Sequence, residues 1–296
     1  MKGKDSFESA AALLPRDIRG GVLALRDAER AAAEEIRLRC GHPPAVLLPG
    51  GERTLGTRAV TPEDLASLLE AATHGSAHTA LAGLRAGYVP LPGGGRLGVC
   101  GEAALDAAGR VELLRARSAA IRIARERRGC ADGIKKALLE GGFCDTLIVS
   151  PPGAGKTTLL RELVRLLSAR GERVAVADER AEVAGGLEGG FDLGPRTDVM
   201  SGAPKAAAAL MLIRSMSPTV LAMDEITAPE DVEAVLSAAG CGVAVLATAH
   251  AEGLAGLRRR ALYRRLLDEG VFRRFVAVRR RPDGTREYEV KAAGAP

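Results

Sequence analysis

The chain has 296 residues, which is enough for about two domains with hydrophobic cores of their own. Its 47% apolar and 27% charged residues are typical of a globular protein and argue against a disordered chain. The net charge of +5 is too small for a dedicated nucleic-acid-binding protein. Five scattered cysteines without a C-x-x-C pair argue against a disulfide framework or a zinc site. No signal-peptide pattern and no apolar run of about 18 residues occurs, so we expect a cytoplasmic protein without a membrane span.

Residues 1–125 predict a small α+β domain. In chain order, the patterns predict helical structure over 1–34, strands at 36–39, 45–48 and 53–55, helices over 61–72 and 77–85, and strands at 87–90, 96–99 and 118–123. Thr61 is a typical helix cap, because proline and two acidic residues follow it.

Residues 126–145 predict a linker and a lead-in helix, and residues 146–296 predict a second domain. This domain alternates strands at 147–149, 174–177, 220–223 and 243–247 with helices at 157–169, 205–215, 230–239 and 254–267. Such alternation favours a parallel sheet. The stretch 181–204, rich in Gly, Asp and Pro, is interpreted as a long functional loop, and the C-terminal tail as a closing hairpin.

A glycine-rich turn joins the first of these strands to its helix. The turn comprises Ser150, Pro151, Pro152, Gly153, Ala154, Gly155, Lys156, Thr157 and Thr158. Its two glycines let backbone N–H groups curl around phosphates, Lys156 reaches the β- and γ-phosphates, and the Thr157 hydroxyl can hold Mg²⁺. The pattern therefore predicts a P-loop that binds a nucleoside triphosphate. Ser150 replaces the usual first glycine, and the two prolines after it supply the tight exit from the strand.

The strand at 220–223 ends in two carboxylates, Asp224 and Glu225. Asp224 is the predicted partner of Mg²⁺, and Glu225 the predicted base that orients or deprotonates the attacking water. A rival pair, Asp178 and Glu179, follows the strand at 174–177. This pair is predicted to position water or metal, with a solvated turn as the alternative.

The strand at 243–247 is followed by Thr248 and His250, which predict a hydroxyl and an imidazole at the same sheet edge. We expect Thr248 to sense the γ-phosphate and His250 to sense or stabilise it. Arg196, in the long loop, is a candidate arginine finger for its own site or a neighbour's, and Arg214 is a weaker one.

These motifs occur in an order that resembles the stage III sporulation protein AA family of endospore-forming bacteria. The residues that carry the resemblance are Ile121 to Glu126, Ser150 to Thr158, Asp178 to Arg180, Gly194 to Asp198, Ile213 to Pro218, Asp224 to Ile226 and Ala247 to His250. That family is similar to the ATPases of type II and type IV secretion systems. In those ATPases glycine typically precedes the glutamate that matches Glu225, whereas this chain has Asp224.

The resemblance implies a RecA-like P-loop ATPase domain that uses ATP and Mg²⁺, preceded by the small α+β domain. It also implies a homohexamer in the mother cell that powers a channel complex between mother cell and forespore. Its partners would be membrane proteins of that complex, which would hold it at the membrane surface. Two alternatives stay open: a RecA-like ATPase that acts on nucleic acid through the arginine-rich C-terminal third, and a scaffold that binds ATP without turnover.

Overall fold

The computed structural model describes residues 2–73, 87–106, 109, 111–124, 126–185, 190–281 and 284–293. The chain divides into two compact units. The first comprises Met1–Glu126 with Gly185–Gly190, and the second comprises Arg127–Ala184 with Phe191–Pro296. The helix predicted over residues 77–85 lies outside the described residues.

The first unit contains an antiparallel sheet of six strands in the order β3-β2-β1-β6-β5-β4. Its strands are β1 (Glu35–Arg39), β2 (Ala45–Leu48), β3 (Gly51–Thr54), β4 (Tyr88–Pro90), β5 (Arg96–Leu105) and β6 (Val111–Arg122). Its helices are α1 (Lys2–Ala12), α2 (Arg16–Leu23), α3 (Asp27–Ala32) and α4 (Pro62–Ala72). Ile36 and Leu38 alternate with polar residues along β1, so one face of the sheet packs into a core with these helices.

The second unit contains a mixed sheet of seven strands in the order β13-β12-β7-β11-β10-β8-β9. Its strands are β7 (Thr146–Ser150), β8 (Val174–Asp178), β9 (Thr197–Ser201), β10 (Val220–Met223), β11 (Ala244–His250), β12 (Arg274–Arg280) and β13 (Arg286–Ala292). Six of these strands run parallel, and β13 pairs antiparallel with β12. The mixed sheet with its parallel core has the α/β arrangement of a RecA-like fold, which confirms the predicted fold class.

Helices cover both faces of this sheet, which is why its central strands are apolar throughout. The helices are α5 (Lys135–Leu139), α6 (Lys156–Ala169), α7 (Lys205–Met216), α8 (Pro229–Gly240), α9 (Gly253–Arg258) and α10 (Ala261–Asp268). Along β7, Leu147 and Val149 pack into one hydrophobic cluster, whereas Ile148 packs into the cluster on the other face.

Two element predictions for this unit were wrong. The stretch 181–204 is not a loop throughout, because residues Thr197–Ser201 form β9 at the sheet edge. The single helix predicted over 254–267 is divided into α9 and α10. Within the described part of the chain, no helix has the length and apolar character needed to cross a membrane.

The parallel strands bring several polar residues to one edge of the sheet. Strands β7, β8, β10 and β11 all end at this edge, which is where ligands bind in open α/β sheets. Ser150 at the end of β7 lies directly beside His250 at the end of β11.

Candidate functional site

The glycine-rich turn has the backbone geometry of a phosphate-binding loop. Gly153 and Gly155 have φ angles of 73° and 106°, a region that favours glycine. Gly155 is the residue before α6, and no side chain caps that helix. The first N–H groups of a 14-residue helix are therefore available to an anion, and the helix dipole adds attraction.

A network of four residues joins the turn to the ends of β10 and β11. The Thr157 hydroxyl donates to Asp224 Oδ2 over 2.8 Å, and the Thr248 hydroxyl donates to Asp224 Oδ1 over 2.7 Å. Thr248 Oγ1 also accepts the backbone N–H of Glu225 over 2.8 Å. Glu225 has a φ of 57°, which is unusual for a residue other than glycine. Thr248 thus fixes both the Asp224 carboxylate and the strained backbone of Glu225.

A second chain of contacts runs through His250. Lys156 Nζ lies 2.8 Å from His250 Nδ1, and His250 Nε2 lies 3.2 Å from Glu225 Oε1. Since the lysine can only donate, Nδ1 accepts and Nε2 is placed to donate to the carboxylate. Burial lowers the pKa of Lys156 below its ordinary value, although Asp224 and Glu225 oppose that shift.

These residues fit Mg²⁺ and a nucleoside triphosphate by their own chemistry. A hydroxyl and a carboxylate, Thr157 and Asp224, face each other at 2.8 Å, and oxygen ligands are what Mg²⁺ prefers. Lys156 is only 5% exposed and has no carboxylate within ion-pair distance among the described residues. A buried cation that contacts an imidazole is suited to receive a phosphate oxygen.

Asp178 comes to the same edge but is occupied by the backbone. Its two carboxylate oxygens accept N–H groups from Glu182, Val183 and Ala184 at 2.8 to 3.1 Å. Burial raises the pKa of Asp178, and these N–H groups oppose the shift. The carboxylate therefore closes the turn after β8, and its predicted contact with the nucleotide stays a prediction.

Glu179 lies near the site and faces a lysine that sequence reasoning missed. Its Oε2 lies 3.6 Å from Lys205 Nζ, which also lies 3.5 Å from Asp231 Oδ2 and donates to Thr227 Oγ1 over 3.1 Å. Lys205 begins α7 and is 9% exposed. It lines a pocket together with Asp178, Glu179, Asp224 and Glu225, so it offsets part of the negative charge there.

Arg196 is not brought to this site within the chain. It precedes β9, and its carbonyl accepts the N–H of Val174 at the start of β8. Its Nη1 donates to Gly171 O over 3.0 Å. Because β8 and β9 are parallel, Arg196 lies at the sheet edge opposite Asp224, and the structure contradicts a finger that serves its own site. Its predicted role at a neighbour's site is untested.

The residue set and its order along the chain match one protein family. The description of that family is "Sporulation stage III, protein AA", and residues 5–288 match it. The chain belongs to the stage III sporulation protein AA family. It is 35% identical to stage III sporulation protein AA of Bacillus subtilis (strain 168) over 277 residues, which cover 91% of this chain and 90% of that protein. A weaker match, at 31% identity over 44% of this chain and 19% of the other, is to protein SEEDLING PLASTID DEVELOPMENT 1 of Arabidopsis thaliana.

The fold of this family member is similar to those of two solved structures, an ATPase and a pilus retraction motor. The ATPase DotB of Legionella pneumophila aligns with a TM-score of 0.60 and 20% identity, over 88% of this chain and 77% of that chain. The pilus retraction motor PilT, solved with bound ADP, aligns with a TM-score of 0.62 and 20% identity, over 89% and 80% of the two chains. At 20% identity, these two likenesses show that the folds are similar. The roles of individual residues follow from the geometry of this chain itself.

Sequence reasoning missed two further basic residues of the second unit besides Lys205. Arg161 on α6 is buried, and it donates to the carbonyls of Glu182 and Val183 over 2.7 and 2.9 Å. Arg286 on β13 donates to Ala154 O over 3.1 Å. The sequence holds some signal for Arg161, because this arginine interrupts the apolar face of α6. No sequence pattern connects Arg286 with a loop that lies 132 residues earlier.

Proposed function

We propose that this chain is a Mg²⁺-dependent ATPase. The observation that carries the proposal is the 2.8 Å hydrogen bond from Thr157 of the P-loop to Asp224 at the end of β10. It joins a phosphate-binding loop to a carboxylate that follows a neighbouring strand, which is the arrangement of P-loop ATPases. DotB and PilT, which share the fold, are named as an ATPase and a motor with bound ADP, and this agrees with the proposal.

Each residue of the network has a role in this proposal. Thr157 and Asp224 would hold Mg²⁺, which neutralises charge on phosphate oxygens when it is bound. The N–H groups of residues 153–158 and the Lys156 ammonium bind and orient the phosphates. Glu225 Oε1 accepts a proton from the attacking water, and His250 Nε2, 3.2 Å away, holds that carboxylate in place. When a nucleotide binds, Lys156 gives up its hydrogen bond to His250 and donates to a phosphate oxygen instead.

Steady-state ATP hydrolysis with purified protein tests the proposal. We expect Mg²⁺-dependent turnover that Lys156→Ala abolishes together with nucleotide binding. Glu225→Gln keeps the shape and the hydrogen-bonding oxygen but removes the base, so it should retain binding and lose most turnover. Binding without any turnover by the assembled wild-type protein would favour a nucleotide-dependent scaffold. Turnover that rises steeply with nucleic acid and falls with salt would favour a nucleic-acid motor.

We further propose that the protein works as a homo-oligomer, with a hexameric ring as the expected form. The ring would act as a cytoplasmic motor for a channel complex between mother cell and forespore, and it would dock on membrane proteins of that complex. Membership of a sporulation family and the likeness to a pilus motor support this proposal. Native mass measurement with and without ATP tests the ring, and a monomer under both conditions would contradict it.

A further inference from the structure

Strand β13 contacts the P-loop on the side where β12 pairs with β7. Arg286, the first residue of β13, donates from Nε to Ala154 O over 3.1 Å. A Cβ atom placed on Gly155 would lie only 2.5 Å from Arg286 Nε. The guanidinium group is therefore packed directly on the loop backbone, and a side chain at residue 155 would displace it.

The sheet order sets which end of a nucleotide lies near this arginine. Strand β7, which leads into the P-loop, has β11 on one side and β12 on the other, and β13 lies beyond β12. Glu225 and His250 belong to the β11 side, where the proposed hydrolysis places the γ-phosphate. A phosphate chain that follows the loop then has its nucleoside end on the β12 side, next to Arg286.

Arg286 has hydrogen-bonding capacity to spare. The side chain is half-buried, and across the described ranges its one hydrogen bond is the Nε contact, with no carboxylate within ion-pair distance. Burial lowers the pKa of Arg286, and repulsion from Arg127 adds to that shift. A partly desolvated cation beside a second cation gains most from an anion that both can approach.

The neighbours of Arg286 extend the same side of the loop. Tyr288 lies two residues further along β13 and so points to the same face of the strand as Arg286. Cys130 lies near Tyr288 and contributes to its raised pKa, and the Cys130 sulfur lies 3.8 Å from the carbonyl oxygen of Thr158. The P-loop is thus flanked from Ala154 to Thr158 by residues that the proposed hydrolysis does not use.

We propose that Arg286 binds the α-phosphate of the nucleotide through its terminal N–H groups and so connects the closing hairpin to the occupied P-loop. The inference rests on the proposed function, because it needs a nucleotide whose γ-end lies toward Glu225. It assigns a positively charged binding residue to the nucleoside side of the site.

Calorimetric titration with ADP in the absence of Mg²⁺ tests this assignment. Arg286→Gln should weaken ADP binding by about tenfold, as expected for the loss of one charge-assisted hydrogen-bonding group. Arg281→Gln is the matched control, since it removes one positive charge from the same hairpin at an exposed arginine paired with Glu287. This control should bind ADP within about twofold of the wild type. If Arg286→Gln does not fold, Arg286→Lys carries the test, because it keeps the charge and loses the planar fork.

Sulfur-substituted ADP separates a phosphate contact from simple support of the loop. In the two α-thio diastereomers of ADP, sulfur replaces one or the other non-bridging oxygen and weakens hydrogen bonds to it. The wild type should prefer one diastereomer, and Arg286→Gln should lose that preference, whereas both proteins should respond alike to β-thio ADP. An unchanged α-thio preference, or ADP affinity equal to that of Arg281→Gln, overturns the assignment. If the wild type shows no ADP binding that depends on Lys156, the proposed function fails and the assignment fails with it.

Discussion

At the scale of single residues, Thr248 holds two parts of the candidate site through one hydroxyl group. Its buried hydroxyl donates to Asp224 Oδ1 and accepts the backbone N–H of Glu225, so one atom holds the Asp224 carboxylate and the backbone of Glu225. Thr248→Val keeps the shape and removes both bonds. We expect turnover to fall at least about tenfold and the free energy of unfolding to drop by about 1–3 kcal/mol, because an amide and a carboxylate lose their partner.

Measured kcat, ADP affinity and urea unfolding check this prediction. ADP affinity should stay within about threefold of the wild type, because the loop and Lys156 are unchanged. Thr248→Ser is the control, since it keeps the hydroxyl and should retain most turnover. Equal turnover in the Val and Ser variants would show that the hydroxyl does not position the site.

Cys130 gives a prediction about pH at the same scale. Burial raises the pKa of its thiol to about 11, and the nearby Glu162 carboxylate adds to the shift. Only the thiolate reacts, so at pH 8 about one thiol in a thousand is reactive. Iodoacetamide labelling followed by mass spectrometry should modify the exposed Cys100 and Cys241 first and Cys130 only after unfolding or as the pH approaches 11. Labelling of Cys130 as fast as Cys241 at pH 8 would contradict the raised pKa.

At the scale of elements, the turn after β8 is held from two sides. Asp178 accepts its N–H groups, and Arg161 on α6 donates to its carbonyls and stacks on Phe191 at 3.5 Å from the ring centre. Asp178→Asn leaves one acceptor oxygen and places an NH₂ group against amide donors. We expect a loss of about 2 kcal/mol in the free energy of unfolding, measured with urea.

Glu179→Gln is the matched control for this turn. Glu179 is exposed and pairs only loosely with Lys205 at 3.6 Å, so the change should cost less than about 0.5 kcal/mol. If Asp178→Asn were as stable as this control, the carboxylate would not be the anchor of the turn. A nucleotide-binding role for Asp178 would then regain support.

The elements also show where sequence patterns succeed and where they fail. The glycine-rich turn, strand β10 before Asp224 and the apolar part of strand β11 before Thr248 follow from local apolar runs and a glycine turn, so they could be predicted. Strand β9 could not, because its residues are half-exposed and stand among glycines and prolines that favour loops. The role of Asp178 depends on a turn with Ala181 at a φ of 53°, and the contact of Arg286 depends on strand pairing. Neither feature leaves a local pattern.

At the scale of the whole molecule, the position of Arg196 decides whether this arginine could act on the nucleotide site of its own chain or only on that of a neighbouring subunit. Within one chain this exposed arginine lies at the sheet edge opposite Glu225, so it cannot serve its own site. If a ring forms, the same position leaves Arg196 free to approach the nucleotide of a neighbouring subunit. Arginine fingers supplied by a neighbour stabilise the charge that develops on the transferred phosphate.

Mixing two inactive variants distinguishes these cases. Lys156→Ala lacks nucleotide binding but keeps Arg196, whereas Arg196→Ala keeps the nucleotide site and loses the arginine. If Arg196 acts on a neighbour's site, an equal mixture should recover about a quarter of the wild-type turnover, because that share of interfaces combines an intact site with an intact arginine. Each variant alone should stay inactive.

Arg214→Ala is the control: mixed with Lys156→Ala, it should give the rate expected from its own intact sites. No recovery in the first mixture, with rings present by mass, would remove Arg196 from the catalytic site and leave its guanidinium with a structural role, the bond to Gly171 O.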